Sequence, residues 1–442
     1  MGVTASSPRR AWLLLAFLTL LNVVNFVDRQ LITSLQVPIM AELGLSLGDI
    51  TLLAGYVFAA VYAFTGVLMG TVADRSHRPR LIALGLLVWS GMTAASGLAQ
   101  NFWQLGVARF FIGVGEAVLT PAAIAMLSDV FRPRQRALAS GLYYLGIPVG
   151  ASLSLIVASL IDPIPALGWS GMSWRHCFFA LGLTGMALVC VLLFIPDPER
   201  GALEDGGEAL PRQAAARSLP TILGDVFTTL RRSPALMMTM IAGVLINIPV
   251  GSTWLDPSWL VKERGFTHQE ATLFLGVLFL LGGSLGNFIG GWLGDAFHRR
   301  WRSGRLLALV TIQVIISPFG IAFRFLPADS LMFPVSCFLS AILVTMIYGP
   351  IYASVQELTP LRIRATMVAV LIIGLMLLGA SLGGRLAAFL AERIAAAGYT
   401  DQPLTWGIFF TGQVGLLAIP LLLWAAHRYR SDMARVLGND SI

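Results

Sequence analysis

Gly70-Thr71-Val72-Ala73-Asp74, with Arg78 four residues beyond, recurs as Gly291-Trp292-Leu293-Gly294-Asp295, with Arg299 four residues beyond. Two more segments repeat in the same order. Asp129, Pro133 and Arg136-Ala137 return as Glu357, Pro360 and Arg364-Ala365, and Gly150-Ala151-Ser152-Leu153 returns as Gly379-Ala380-Ser381-Leu382. The three matches lie at offsets of 221 to 229 residues. Two parallel half-length repeats around a midplane site are the design of alternating-access transporters.

The rest of the chain fits that frame. Of its 442 residues 56% are hydrophobic and 12% charged, and a helix needs about 20 apolar residues to cross a bilayer core of roughly 30 Å. Such runs fall at 11–36, 47–73, 81–100, 104–128, 137–161, 174–195, 235–260, 270–295, 304–325, 331–357, 366–392 and 404–427. Backbone in lipid must pair within its own segment, so the runs are expected to be helices. Alternating ten-residue segments of a membrane barrel are missing. The first run holds Asn25 and Asp28-Arg29 and has no small-residue cleavage site, so it reads as a retained helix. The expected organisation is an all-α membrane protein with a six-helix bundle at 1–195, a linker at 196–233 and a second bundle at 234–442.

The linker opens on Pro196-Asp197-Pro198, which ends the sixth helix. Within it Ile222, Leu223, Val226, Phe227 and Leu230 keep helical spacing before Arg231-Arg232, which predicts a short amphipathic helix on the membrane surface. The net charge of +7 resides mainly in alternate loops, among them Arg9, Arg10, Arg132, Arg232, Arg300 and Arg430. That bias predicts both termini in the cytoplasm, with a bacterial inner membrane as the expected location, and argues against a nucleic-acid partner. Cys177, Cys190 and Cys337 lie far apart in apolar runs and read as packed thiols. No phosphate loop, nucleophile elbow or metal-ligand spacing appears, so no cofactor, no metal and no enzyme activity are expected.

Several motifs resemble the major facilitator superfamily: G-x-x-x-D-R-x-x-R at Gly70–Arg78, R-x-x-x-G-x-G at Arg109–Gly115, and Trp174-Arg175 opening the sixth helix. Asn25-Phe26-Val27-Asp28-Arg29, Gly113-Val114-Gly115-Glu116-Ala117 and Gly146-Ile147-Pro148-Val149-Gly150 are similar to its spinster branch, and anion:cation symporters of the superfamily carry comparable stretches. The resemblance implies proton-coupled transport of lysolipid-like or other amphiphilic anions, and a monomer is expected. It also implies a cytoplasmic gate made by Gly70, Asp74, Arg75, Arg78, Asp129 and Arg136, and by repeat symmetry by Asp295, Arg299, Glu357 and Arg364.

Ionisable residues inside a membrane are costly and mark function. Asp28 lies roughly 25 Å along the first helix at about 1.5 Å per residue, and Arg109 and Glu116 share one face of the fourth, seven residues apart. With Arg29 they are expected to meet in one cavity. Desolvation favours a neutral carboxyl and a nearby guanidinium favours the charged one, so moving Arg29 or Arg109 would couple protonation to access. Glu116 is the first choice of proton site and Asp28 the second; the bland alternative is a static ion-pair cluster. The second half offers few buried charges, and its candidate cavity residues are Asn247, Asn287, Tyr348 and Tyr352 beside Asn25 of the first. A small-organic-anion symporter for sugar acids, and a gradient-independent lipid scramblase or sensor, stand as alternatives.

Overall fold

The computed structural model describes residues 8–73, 76–163, 171–199, 219–360 and 363–437. Those residues are almost entirely helical, and ten helices are long and apolar enough to cross a membrane. Arg78–Ser96 and Gly304–Ala322 occupy the places of the expected third and ninth spans. The expected amphipathic segment is the helix Leu219–Arg232.

Local chemistry sets the helix ends. Ser46 and Asp49 form a reciprocal cap at the start of the second span. Asn101 accepts from the N–H of Gln104 at 3.1 Å to start the fourth, and Ser233 caps the seventh. Pro79, Pro133 and Pro234 sit in first turns, where a missing N–H costs nothing. Inside three spans the backbone opens into a π-turn: Leu52–Val57, Phe279–Gly283 and Gly374–Ala380.

The chain forms two compact units, Met1–Ala216 with His268–Gly276, and Arg217–Thr267 with Val277–Ile442. The first unit therefore takes in the opening turns of the expected eighth span. A Cβ on Gly276 would lie 3.1 Å from Ile156 and 3.2 Å from the Ser152 carbonyl, so this segment rests on the fifth span.

In lipid, helices associate by close packing rather than by exclusion of water. Within the first unit, a Cβ on Gly85 would stand 2.7 Å from the Gly115 carbonyl, and one on Gly115 would stand 2.6 Å from the Gly85 carbonyl. The third and fourth spans thus touch backbone to backbone one residue before Glu116. The repeated glycines act alike in their own units. A Cβ on Gly150 would meet the Val23 carbonyl at 2.6 Å, and one on Gly379 would meet Asn247 at 2.8 Å. Each presses its unit's fifth helix against the first. The core of the first unit centres on Leu18, Ile82, Leu86, Trp89 and Met126, that of the second on Leu236, Ile246, Leu309, Val355 and Leu422.

The surface helix divides its apolar residues. Val226 and Leu230 pack on the second unit's core, whereas Phe227 is exposed with Arg231 over its ring at 5.6 Å. The Ile222 and Leu223 side chains lie outside the described residues. Cys177 and Cys337 are buried, but Cys190 is exposed, which corrects the expectation of three packed thiols. It stands on an outward face of the sixth span, where an apolar setting does not require burial inside the bundle.

Candidate functional site

The first unit brings the four expected charges into one buried group. Arg29 donates through Nη2 and Nε to Glu116 Oε2, at 3.0 and 3.2 Å. Its Nη2 also points at Asn25 Oδ1, one helical turn back, at 3.4 Å. The guanidinium lies among three rings, 4.6 Å from Phe26, 4.7 Å from Phe58 and 4.5 Å from Tyr62. These aromatic faces and one carboxylate replace the water that a membrane-embedded cation lacks. The side chain of Arg29 keeps 10% exposure while that of Glu116 has none.

Asp28 and Arg109 form the second part. Thr93 donates its hydroxyl to Asp28 Oδ2, and Arg109 donates through Nη1 to the Asp28 carbonyl at 3.4 Å. The Trp89 carbonyl, one turn back on the third span, is an alternative acceptor for the same hydroxyl hydrogen. The group is under-satisfied. Glu116 Oε1, Asp28 Oδ1, Arg109 Nε and Arg109 Nη2 are all buried without a hydrogen-bond partner. Buried polar atoms are nearly always paired, and an exception marks a place where partners change or a ligand enters.

The second unit places Asn247 and Tyr348 together. Tyr348 donates to Asn247 Oδ1 at 3.0 Å, and Asn247 Nδ2 donates to the Leu375 carbonyl at 2.6 Å. Tyr352 stacks on Tyr348 with ring centres 6.3 Å apart. Asn287 does not join them: it is exposed and bonds the Gly283 carbonyl of its own helix at 3.3 Å. The few buried charges of this unit include a pair that the expectation did not name. Arg324 and Asp256, 4% and 8% exposed, pair at 2.7 Å beneath Trp259. Sequence reading passed over both, because Asp256-Pro257 and Arg324 fall at helix ends that resemble loop boundaries.

At the ends of the second and third spans, Arg78 pairs with Asp129 at 2.5 Å. It has a further partner that its motif does not contain. Asp197 accepts from Arg78 Nε at 2.7 Å and from its backbone N–H at 3.2 Å, and the Pro198 carbonyl accepts from Nη2 at 2.6 Å. Gly70 lies in the helix Phe58–Ala73, while Asp74, Arg75 and the Arg136 side chain fall outside the described residues.

The repeat-related cluster departs from the expected pairing. Glu357 is held by Arg305 and by the Tyr429 hydroxyl, with His298 Nε2 3.6 Å away, and Arg305 also bonds Asp295 at 2.8 Å. Arg299 is exposed instead. The eighth span stays helical through Arg300, so Arg299 remains on its outer face. Arg305, in the first turn of the ninth span, takes the place that Arg78 has in the first turn of the third. Arg364 opens the eleventh span, half-buried.

Outside the spans, Glu42 accepts from Trp174 Nε1 at 2.6 Å and from Arg175 Nε and Nη2 at 3.0 and 2.8 Å. The Arg175 bonds, then that of Trp174, hold its carboxyl below the usual glutamate value. Arg175 Nη1 also donates to the Gly97 and Ala99 carbonyls at 2.9 and 2.6 Å.

A family model described as Major Facilitator Superfamily matches residues 18–384. An MFS-type efflux pump of Mycolicibacterium smegmatis is 28% identical over 359 residues, covering 81% of this chain and 80% of that protein. Human protein spinster homolog 1 is 28% identical over 270 residues, covering 59% of this chain and 48% of that protein, so the match spans about half of the animal protein. A bacterial homolog of the human lysosomal transporter Spinster, solved in an inward-facing and unoccupied conformation, superposes with a TM-score of 0.77 at 25% identity, covering 98% of both chains. The D-xylose-proton symporter shares the fold, with a TM-score of 0.67 at 14% identity over 94% of this chain and 97% of its own. The repeated bundles, the paired helix-end charges and these likenesses together place the chain in the major facilitator superfamily as a spinster-like membrane transporter.

Proposed function

We propose that the chain is a proton-coupled transporter of lysolipid-like or other amphiphilic anions, working by alternating access, with Glu116 as the proton carrier. The observation that carries this reading is the buried Arg29–Glu116 pair, whose second carboxylate oxygen has no partner while Arg109 keeps two unpartnered nitrogens. In the cycle, an anionic head competes with Glu116 for Arg29. Losing its cation leaves Glu116 as a dry carboxylate, which takes up a proton, and release of the head reverses both events. Asp28, steadied by Thr93, keeps Arg109 in place as the neighbouring charge.

The names of the relatives, an efflux pump and a lysosomal transporter, fit a substrate that crosses between membrane and water. Asn25 would contact it beside Arg29 in the first unit, and the Arg78–Asp129–Asp197 and Arg305–Glu357–Tyr429 clusters would act as cytoplasmic latches. The protein would work as a monomer in a bacterial inner membrane with both termini in the cytoplasm.

The test uses purified protein in liposomes under an imposed pH gradient, with lysophospholipids and sugar acids offered in parallel. Gradient-driven lysolipid movement, abolished in Glu116→Gln and at least ten-fold slower in Asp28→Asn, is the expected result. Movement of sugar acids alone would transfer the site to a small-anion symporter. Lysolipid movement that ignores both the gradient and the variants would leave a scramblase with a structural charge cluster.

A further inference from the structure

The second unit contains a cavity of about 100 Å³ between the seventh, ninth, tenth and twelfth spans. Its wall is mainly apolar, with Ile246, Val250, Leu343, Val344 and Phe409, and a few hydroxyl and amide groups stand among them. Arg324 is the one charged residue in that wall. Asp256, which pairs with Arg324 Nη2 at 2.7 Å, is not part of it.

Arg324 is 4% exposed, and its Nη1 is buried without a hydrogen-bond partner. The guanidinium is wedged 4.6 Å from Trp259 and 4.8 Å from Phe323, so it cannot swing to water without breaking those contacts. The nearby charges leave that nitrogen unserved. Arg264 donates to the Arg324 carbonyl, and Glu263 spends its carboxylate on the N–H groups of Leu404 and Thr405, at 2.6 and 2.8 Å. A desolvated donor of this kind is expensive unless an acceptor reaches it. A cavity with one cation in a mainly apolar wall selects a negatively charged oxygen attached to a short apolar body.

We propose that this cavity is a second anion-recognition site, taking a carboxylate or phosphate head at the Arg324 guanidinium with a few carbons of chain against Leu343, Val344 and Phe409. The site lies wholly within the second unit and needs neither Glu116 nor a gradient. Its occupancy is therefore read at equilibrium, separately from the transport mechanism.

The experiment is a ligand-observed NMR titration of the full chain in phosphatidylcholine nanodiscs, with butyrate, butyl phosphate, butanol and inorganic phosphate as probes. Butyrate or butyl phosphate should bind at least ten-fold more tightly than butanol, and butyl phosphate at least ten-fold more tightly than inorganic phosphate. Val344→Phe, which fills the cavity and leaves the ion pair intact, should weaken the acids at least ten-fold. Arg324→Gln should remove the preference for acid over alcohol. Displacement of butyl phosphate by a long-chain lysophosphatidate would assign the head to a lipid, and no displacement would assign it to a free small acid. Butanol binding as well as the acids, or acid binding unchanged in Val344→Phe, would overturn the proposal.

Discussion

Asp197 accepts two hydrogen bonds from Arg78, one from the side chain at 2.7 Å and one from the backbone at 3.2 Å. The segment leaving the sixth span is thereby tied to the first turn of the third, and Arg78 is left 2% exposed with both Asp129 and Asp197 as counter-charges.

Removing one of two counter-charges should weaken the first unit without unfolding it. Asp197→Asn is expected to cost about 1–3 kcal/mol, the usual effect of disrupting a mostly buried charged hydrogen bond. Arg78→Gln should cost more, since it removes the cation that serves both carboxylates. Thermal unfolding of the detergent-solubilised protein measures both; an Asp197→Asn melting point equal to the parent's would refute the tie.

Arg29→Lys keeps the charge but loses the two-nitrogen fork and the planar stacking on Phe26, Phe58 and Tyr62. Transport should fall at least ten-fold. Arg29→Met alone strands Glu116 and should destabilise by about 3–5 kcal/mol, whereas Arg29→Met with Glu116→Gln should recover most of that. A double variant no more stable than the single one would show that the pair is not a coupled unit.

The second-unit cluster gives a direct contrast between two neighbouring arginines. Arg305→Gln removes the partner of both Glu357 and Asp295, and is expected to lower both melting temperature and transport. Arg299→Gln, at an exposed position, should stay within about 0.5 kcal/mol of the parent. Equal effects of the two substitutions would restore the symmetric pairing that the repeat suggested.

Gly115→Ala tests the crossing that positions Glu116. Its new methyl would lie 2.6 Å from the Gly85 carbonyl and 2.9 Å from Trp89, so the fourth span must shift. Overpacking of this kind costs about 1–3 kcal/mol. Transport should fall more steeply than stability, because the shift moves the carboxylate next in sequence. Parallel melting curves and liposome uptake separate the two effects.

Glu42 supplies a pH dependence outside the spans. Its folded-state value is depressed below the ordinary 4.5 by Arg175 and then Trp174. Its contribution is therefore complete above that ordinary value and is lost as pH falls through the lower folded one. Glu42→Gln should flatten the acid limb of a melting-temperature profile and leave the neutral region nearly unchanged. An acid limb identical in parent and variant would remove Glu42 from the titration.

The spans and the repeat were legible in the sequence because both are local signals, an apolar run long enough for a bilayer and a short motif recurring in order. The four charges Asp28, Arg29, Arg109 and Glu116 were also legible, since charge inside an apolar run is conspicuous. Their pairing was not. Arg29 and Glu116 are 87 residues apart, and the rotation of the first span decides whether Asp28 or Arg29 meets Glu116. Asp197 read as a helix stop because prolines flank it, and nothing local distinguishes a stop from a ligand for Arg78. Arg305 was missed for a different reason. Motif symmetry nominated Arg299, but the helix persists one turn further in the second unit than the repeat implies.

The π-turns at Leu52–Val57, Phe279–Gly283 and Gly374–Ala380 have a consequence for how the protein tolerates genetic change. Each lodges surplus backbone within a helix that otherwise advances about 100° per residue. Loss of one codon inside Gly374–Ala380 would let the turn tighten to ordinary α-geometry, absorbing the deletion with the faces on either side kept in phase. The same loss a few residues along, within Ser381–Ala396, has no slack to consume and would rotate everything beyond it by about 100°. Three stretches among the described residues are thus places where losing one residue would leave unchanged which side chains face the bundle.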